Sequence, residues 1–396
     1  MDFSFSTLSA LFDFSIVEYA IGATLLLAFI VQILFYFLLY RKPYAYAAKQ
    51  KIAEKTEVEL PPISVVITSK NESENLAKTL PPILEQNYPS FEVIVVNSGS
   101  TDETDMVLKA LEQKYTNLYH TYIPAEAEEL NEKKLALTLG IKAAKNDCLV
   151  FTEAYCKPSS ERWIEQYGVE FAKGSDIVLG FCKLRITKKV RMRKFMLYDN
   201  MIHGLKYLSM AIVGKPFMGI GRNMGYRKEL FFRHKGFSAI LNIDGGEDDL
   251  FINKTVKRQK TTTLLLPESM TETDIVDNFF TWRALKSKYL YTKQFYKGAR
   301  SFIFGWETFS KYVFIIAFAC AIAWGLIFGN YVLPAFAAVL LLVRFGIQLS
   351  IINKNSKMME AGKYHINLFF LDIFQPFNNF RFRTYAFKRN MYKSRR

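Results

Sequence analysis

The stretch CLVFTEAYCKPSSERW, residues 148–163, decides how this chain is read. Four apolar residues run toward an acid, Glu153, and Cys156, Lys157 and Pro158 make a turn before the sequence becomes amphipathic. A short apolar run bounded by a proline turn suits a buried strand, which places Glu153 at the strand's carboxyl end. In a β-α-β arrangement that end is where ligands are held.

Four similar runs flank it: ISVVIT (63–68), FEVIVVN (91–97), NLYHTYI (117–123) and DIVLGF (176–181). Amphipathic stretches separate them over residues 73–86, 102–115, 132–145 and 159–172, the first open to kinking at Pro81 and Pro82. Strands alternating with helices predict an α/β domain with a mainly parallel sheet over residues 59–297. No G-x-G-x-x-G follows the first strand, so a dinucleotide-binding dehydrogenase fits poorly.

The flanks have another character. Residues 16–40 are almost continuously apolar with one acid, Glu18, and are long enough to cross the ~30 Å hydrocarbon core of a bilayer. Asp2 and Asp13 precede this run and no small-residue cleavage site follows it, which argues for a retained helix over a cleaved leader. Residues 313–332 and 333–352 form two further runs meeting at FGNYVLP, a Gly-Asn and Pro turn suited to a helical hairpin. Arg41, Lys42, Lys49, Lys51 and Lys55 follow the first run; Lys297, Arg300 and Lys311 precede the hairpin, and Lys354 and Lys357 follow it. The positive-inside rule then puts the α/β domain in the cytoplasm and the N-terminus outside. Arg344, inside the third run, is expected to snorkel, to face other helices or to mark a path for charge.

The expected organisation is residues 1–58 as an anchor and basic linker, 59–297 as the α/β domain, 298–353 as a membrane hairpin and 354–396 as a tail. That tail, rich in aromatics, Arg and Lys, suits an anionic membrane surface. A net charge of +15 alone would also suit nucleic acid, but its placement beside apolar runs argues for lipid and against nucleic acid. Cys148, Cys156, Cys182 and Cys320 share no C-x-x-C spacing and read as reduced, buried thiols.

Polar residues collect at the strand ends. Lys70, Asn71 and Glu72 follow the first strand; Asn97, Ser98 and Gly99 follow the second, with Asp102 placed to cap the next helix. Lys133 and Lys134 open the third helix, where as a lone pair they read as solvated.

Taken in order, SVVITSKNESENL, FEVIVVNSGSTDET, CLVFTEAYCKPSSERW, GKPFMGIGRNMGYRKELFFRHKGF and GGEDDLF resemble the family 2 glycosyltransferases of the GT-A fold, in their membrane-anchored bacterial branch, over residues 61–298. The resemblance implies inverting transfer of a sugar from a nucleotide donor to an acceptor hydroxyl, with a carboxylate as base and cations on the leaving diphosphate. It implies a donor site at Lys70, Asn71, Glu72, Asn97, Ser98, Gly99, Lys133, Glu153 and Tyr155. Arg222, Asn223, Asp249, Trp282, Lys286 and Lys288 fall on the acceptor or diphosphate side. Counting from Gly246 makes Asp248 the base; aligning on Leu250 makes it Glu247.

The departures lie on the donor side. Asn97 and Ser98 stand where the family has paired aspartates, and Glu153 and Tyr155 stand for Asp-Ala-Asp. The resemblance implies Mg²⁺ or Mn²⁺, held in part by Glu153, yet a neutral phenol at 155 is a poor ligand for a hard cation. In FFTWRALKSKYLYTKQFY, Trp282 and Lys286 match the family's diphosphate motif, while Leu285, Lys288 and Tyr289 replace Gln, Arg and His. Two expectations follow. One is an active inner-membrane transferase using a lipid-linked or envelope glycan acceptor, with Lys286 and Lys288 taking over part of the metal's role. The other is a weak or inactive glycosyltransferase-like subunit that binds glycan, lipid or a partner protein.

Overall fold

A computed structural model describes residues 14–53, 58–123, 132–187, 189–257 and 259–393. Lys55 and residues 1–13, with Asp2 and Asp13, lie outside the described residues, as does the end of the tail at 394–396.

Three parallel strands set the frame of the domain: β1 (Ile63–Ser69), β2 (Phe91–Ser98) and β4 (Cys148–Phe151). Their central residues are buried throughout, as sheet strands covered on both faces require, which is why they read as continuous apolar runs. Pairing runs from Ile63 opposite Phe91 to Ser69 opposite Asn97, and Val66 faces Phe151. That register brings the carboxyl ends of all three strands to one edge. With β3 (Leu118–Ile123), β6 (Ile177–Leu179), β8 (Met224–Arg227) and β9 (Thr261–Thr263), they form a seven-stranded sheet ordered β3-β2-β1-β4-β8-β6-β9. Only β8 runs antiparallel to its neighbours, β4 and β6, so the sheet is the expected mainly parallel one.

Helices α3 (Ser73–Leu84), α4 (Thr104–Lys114), α5 (Glu132–Ala143) and α6 (Trp163–Ala172) fill the intervals predicted for them. Pro81 and Pro82 lie within α3. The last of these helices starts four residues later than expected, because Lys157–Pro158 form a short strand, β5, paired with β10 (Thr271–Thr273). A third strand, β7 (Cys182–Leu184), completes this small sheet.

Beyond the sheet, α7 (Arg193–Ile212) buries most of its length, and α8 (Lys228–Arg233) and α9 (Asp249–Thr255) lead to α10 (Phe279–Thr292). Among the described residues, three helices are long and apolar enough to cross a membrane: one continuous from Ile16 to Lys51, then Ile303–Phe328 and Val332–Met359. The first comprises α1 (Ile16–Phe35), a π turn at Tyr36–Tyr40 and α2 (Lys42–Ala53); we call the others α11 and α12. Both hairpin helices extend past the apolar runs at the domain end, so Lys311, which precedes its run, lies within α11, 3% exposed.

Small residues at Ala28, Ala317, Ala321 and Ala337 let these helices pack closely. Glu18 is held at the far end of the bundle, where Asn330 of the hairpin turn donates to it at 2.8 Å. Arg344 faces the other helices: its guanidinium donates to Gln32 at 3.0 Å and to Asp372 at 3.1 Å. Lys311 joins them, 2.5 Å from Asp372 and 3.0 Å from Glu307. Charges taken out of water need partners of this kind. Asp372 comes from α13 (Asn367–Lys393), the tail, which is a helix packed on α10 and α7 by one face. Its other face exposes Phe370, Phe374, Phe377 and Phe380.

Candidate functional site

The shared edge of β1, β2 and β4 opens into a cleft of about 290 Å³, lined by Lys70, Glu72, Ser98, Lys133, Glu153 and Tyr155. Two loops are stitched together at its mouth. Asn71, in the left-handed region at φ 54°, accepts from the Thr101 amide at 2.8 Å, and Asp102 caps α3 through the Ser73 amide at 3.1 Å. Gly99, at φ 59°, makes the turn between them. Asn97 is buried and its side chain accepts from the Ser100 amide at 3.2 Å, so it serves its own loop.

Lys133, from the first turn of α5, is the hub. Its Nζ lies 2.5 Å from Glu153 Oε1 and 3.3 Å from Glu247 Oε1, joining the end of β4 to the segment before α9. Lys288 of α10 reaches the same Glu247 oxygen at 2.5 Å. Burial raises the Glu247 carboxyl, but the Lys288 and Lys133 ammoniums more than offset it and hold the group far below the ordinary carboxylate range. Its second oxygen, Oε2, is buried with no hydrogen-bond partner among the described residues.

Asp248 caps α9 and accepts three hydrogen bonds: from the Asp249 amide at 2.8 Å, the Gly221 amide at 2.8 Å and the Tyr289 hydroxyl at 2.9 Å. A carboxylate offers about four lone-pair sites, so one remains, on Oδ1. Gly221 packs closely there: a Cβ would stand 3.3 Å from Asp248 and 3.5 Å from Glu153. Asp249 turns inward and accepts from Thr292 and, at 2.6 Å, from Tyr296. Burial and the Asp248 charge push its carboxyl up to about 7.

The fold therefore gathers Lys70, Glu72, Ser98, Lys133, Glu153, Tyr155, Glu247, Asp248 and Lys288, and Asn71, Asn97 and Gly99 shape the loops around them. Others face elsewhere. Lys286 is buried on Asp199 at 2.8 Å; Asn223 is spent in the core on Trp163, Tyr167, Phe181 and Ser269; Trp282 sits in the main core. Arg222 is buried near Tyr155 and Tyr289, with Nε and Nη1 lacking partners among the described residues. Lys134 is not solvated: it is 1% exposed and donates to the Ile243 carbonyl, and burial pushes it down to about 8. Sequence reasoning missed Tyr289 as a partner of Asp248, although its place in the α10 motif, where relatives carry His, was the available signal.

A divalent cation fits this donor set poorly. Among the described residues no three His, Cys, Asp or Glu side chains converge as metal ligands. Glu153 Oε1 is engaged by an ammonium, and burial followed by the Glu153 charge pushes the Tyr155 phenol well above its ordinary value. A phenol that keeps its proton is a weak ligand for a hard ion.

A parallel sheet ending in a cleft of carboxylates and lysines is the frame of a GT-A nucleotide-sugar domain, and residues 64–233 match the family model described as Glycosyl transferase family 2. The chain carries a family 2 glycosyltransferase domain. It is 34% identical over 122 residues to the glycosyltransferase AglE of Haloferax volcanii, covering 30% of this chain and 38% of that protein. It is 30% identical over 125 residues to the poly-beta-1,6-N-acetyl-D-glucosamine synthase of Staphylococcus epidermidis, covering 32% of this chain and 28% of that one. The chain thus spans well under half the length of either relative. Among solved structures, the mannosyltransferase PcManGT from Pyrobaculum calidifontis, in complex with GDP-Man and Mn²⁺, aligns at a TM-score of 0.51 and 18% identity over 87% of this chain and 97% of that one. That likeness shows the fold.

Proposed function

We propose that the protein is an inverting glycosyltransferase that moves a sugar from a nucleotide donor to a lipid-linked or envelope glycan acceptor at the cytoplasmic membrane. The observation that carries this reading is the bridge that Lys133 makes between Glu153 and Glu247, with Lys288 on the same Glu247 oxygen, beside a cleft lined by Lys133 and Glu153. Transfer needs a base for the acceptor hydroxyl and positive charge for the departing diphosphate. Asp248 has one acceptor site left and is the base; Glu247, held at low pKa by two ammoniums, orients them instead. Lys133, Lys288 and Arg222 supply charge toward the diphosphate. Relatives named for a glycosyltransferase and a polysaccharide synthase support the class of reaction.

The orientation follows from charge. Arg41 and Lys42 after the first apolar span, Lys297 and Arg300 before the hairpin, and Lys357 at the end of α12 share the end of the bundle that carries the domain, and the positive-inside rule then supports a cytoplasmic location for residues 59–297. Nucleotide sugars are then within reach.

A second reading has its own observation: Glu153, Glu247 and Asp248 are all already engaged by protein donors. On that reading the chain is a glycosyltransferase-like subunit that binds glycan, lipid or a partner. A screen of nucleotide sugars on purified full-length protein, reading both binding and donor turnover, separates the two. Turnover of one donor supports the enzyme; absence of binding across the common UDP- and GDP-sugars defeats it.

A further inference from the structure

A second cavity, of about 330 Å³, lies under α10 on the side away from the donor cleft, between α7, the first turns of α11 and the middle of α13. Its lining joins two kinds of chemistry. Lys206, Lys286 and Lys293 face it, together with apolar surface from Phe217, Met218 and Phe304. Lys286 is paired with Asp199 at 2.8 Å and Lys206 lies 3.5 Å from Glu307, whereas Lys293, exposed at the rim, has no acid partner among the described residues. Desolvation of its ammonium within the chamber, then the Lys206 and Lys286 ammoniums, push Lys293 down to about 8 although the residue reaches solvent at the rim. Gly305 lines the wall, with nothing within 4 Å of where a Cβ would stand, so the space is open.

The cavity also sits at a marked level. Trp306 and Phe309, 68% and 60% exposed, project from the same turns of α11 that line it. Phe370, Phe374 and Phe377 project from α13, which contributes Gln375, Pro376 and Asn379 to the wall. Exposed aromatics at the end of an apolar helix mark the headgroup region of a bilayer. On its inner side the cavity is closed by Tyr289 and Tyr296, whose hydroxyls donate to Asp248 at 2.9 Å and to Asp249 at 2.6 Å. One tyrosine therefore separates a cationic, half-apolar chamber at headgroup depth from the carboxylate read as the base.

We propose that this cavity seats the phosphate of the lipid that carries the acceptor, with Lys293 and Lys206 on its oxygens and the first part of the chain against Phe217 and Phe304. The assignment rests on the glycosyl-transfer reading above. It names the acceptor's chemistry, an anionic phosphate ester of a long apolar alcohol, and it places the acceptor's reacting end beside Tyr289.

The test uses the full-length protein in nanodiscs of neutral lipid, with a long-chain isoprenoid monophosphate as the probe and photocrosslinking competition as the readout. Two variants act by different means: Lys293→Glu reverses a rim charge, and Gly305→Leu fills the chamber without touching charge. Lys293→Glu should weaken probe capture about 10-fold or more, the scale of one lost charge-assisted contact, and Gly305→Leu should weaken it by occlusion, while nucleotide diphosphate titration on the same samples stays unchanged. Undiminished capture by both variants overturns the proposal. So does displacement of the probe by equal amounts of phosphatidylglycerol, which would mark a site for bulk anionic lipid, or by inorganic phosphate alone. Failure of the transfer reading is visible separately: the probe would still be captured in the chamber while no nucleotide sugar bound the cleft.

Discussion

The Tyr289 hydroxyl donates to Asp248 at 2.9 Å while the ring of the same residue lines the lysine-bearing cavity beneath α10. A single side chain thus joins that cavity to Asp248, and its phenol is one of the three donors that fix the carboxylate proposed as the base. Tyr289→Phe keeps the packing and removes that donor. Losing one hydrogen bond to a charged group costs about 1.5–3 kcal/mol, so the rate of transfer should fall about 10-fold or more. Nucleotide affinity should not move. Equal turnover by the variant would make Tyr289 a packing residue.

The two adjacent acids should separate by kinetics. Asp248→Asn removes the base and should lower turnover by about 10²-fold or more with donor binding intact. Glu247→Gln takes the shared anchor from Lys133 and Lys288, and should chiefly weaken nucleotide binding, since those ammoniums then repel each other across the cleft. Steady-state kinetics beside calorimetric titration of nucleotide diphosphate would show the split. If Asp248→Asn is fully active and Glu247→Gln is dead, the roles are reversed.

Asp249 offers a stability test. Its carboxyl is raised from 3.8 to about 7, so the folded protein holds the proton that the unfolded chain releases. The cost of ionising it in the fold is complete above about pH 7 and fades as the pH falls toward 4, where both states are protonated. Asp249→Asn removes that cost. Thermal unfolding in detergent should therefore show the variant gaining on the wild type at pH 8.5 and losing that advantage near pH 5. A difference independent of pH would mean that Asp249 is ionised in the fold.

Strand identity was legible because β1, β2 and β4 are buried on both faces, which forces unbroken apolar runs. The membrane helices were legible by length, though not their ends, since Lys311 and Arg344 look like boundary or stray charges until Asp372 is seen to meet both. That partner lies in the tail, 61 and 28 residues away, and no local pattern announces such pairing. The same limit applies in the cleft. The sequence puts Lys133 in a first helical turn, but only the register of β4 against β1 and the approach of α9 show that it bridges Glu153 and Glu247. Lys286 and Lys288 are two positions apart on α10, so they point to different sides, and only Lys288 meets Glu247.

That bridge bears on the question of metal. With Lys133 2.5 Å from Glu153 and a protonated phenol at Tyr155, the cleft proposed to take the donor carries its own positive charge. Wild-type protein should bind nucleotide diphosphate with little or no dependence on Mn²⁺. Lys133→Ala frees Glu153 and removes the ammonium, so binding without metal should weaken by about 10-fold or more, the scale for losing a charged contact to phosphate. Tyr155→Asp adds a hard oxygen beside Glu153, and in combination with Lys133→Ala it should restore binding only when Mn²⁺ is present. Calorimetric titration of the wild type, both single variants and the double variant, each with Mn²⁺ and with chelator, distinguishes the outcomes. Strong Mn²⁺-dependent binding by the wild type would show that the ion displaces Lys133 from Glu153 and that the ammonium is a placeholder. No binding under any condition would instead favour a subunit that has given up its donor.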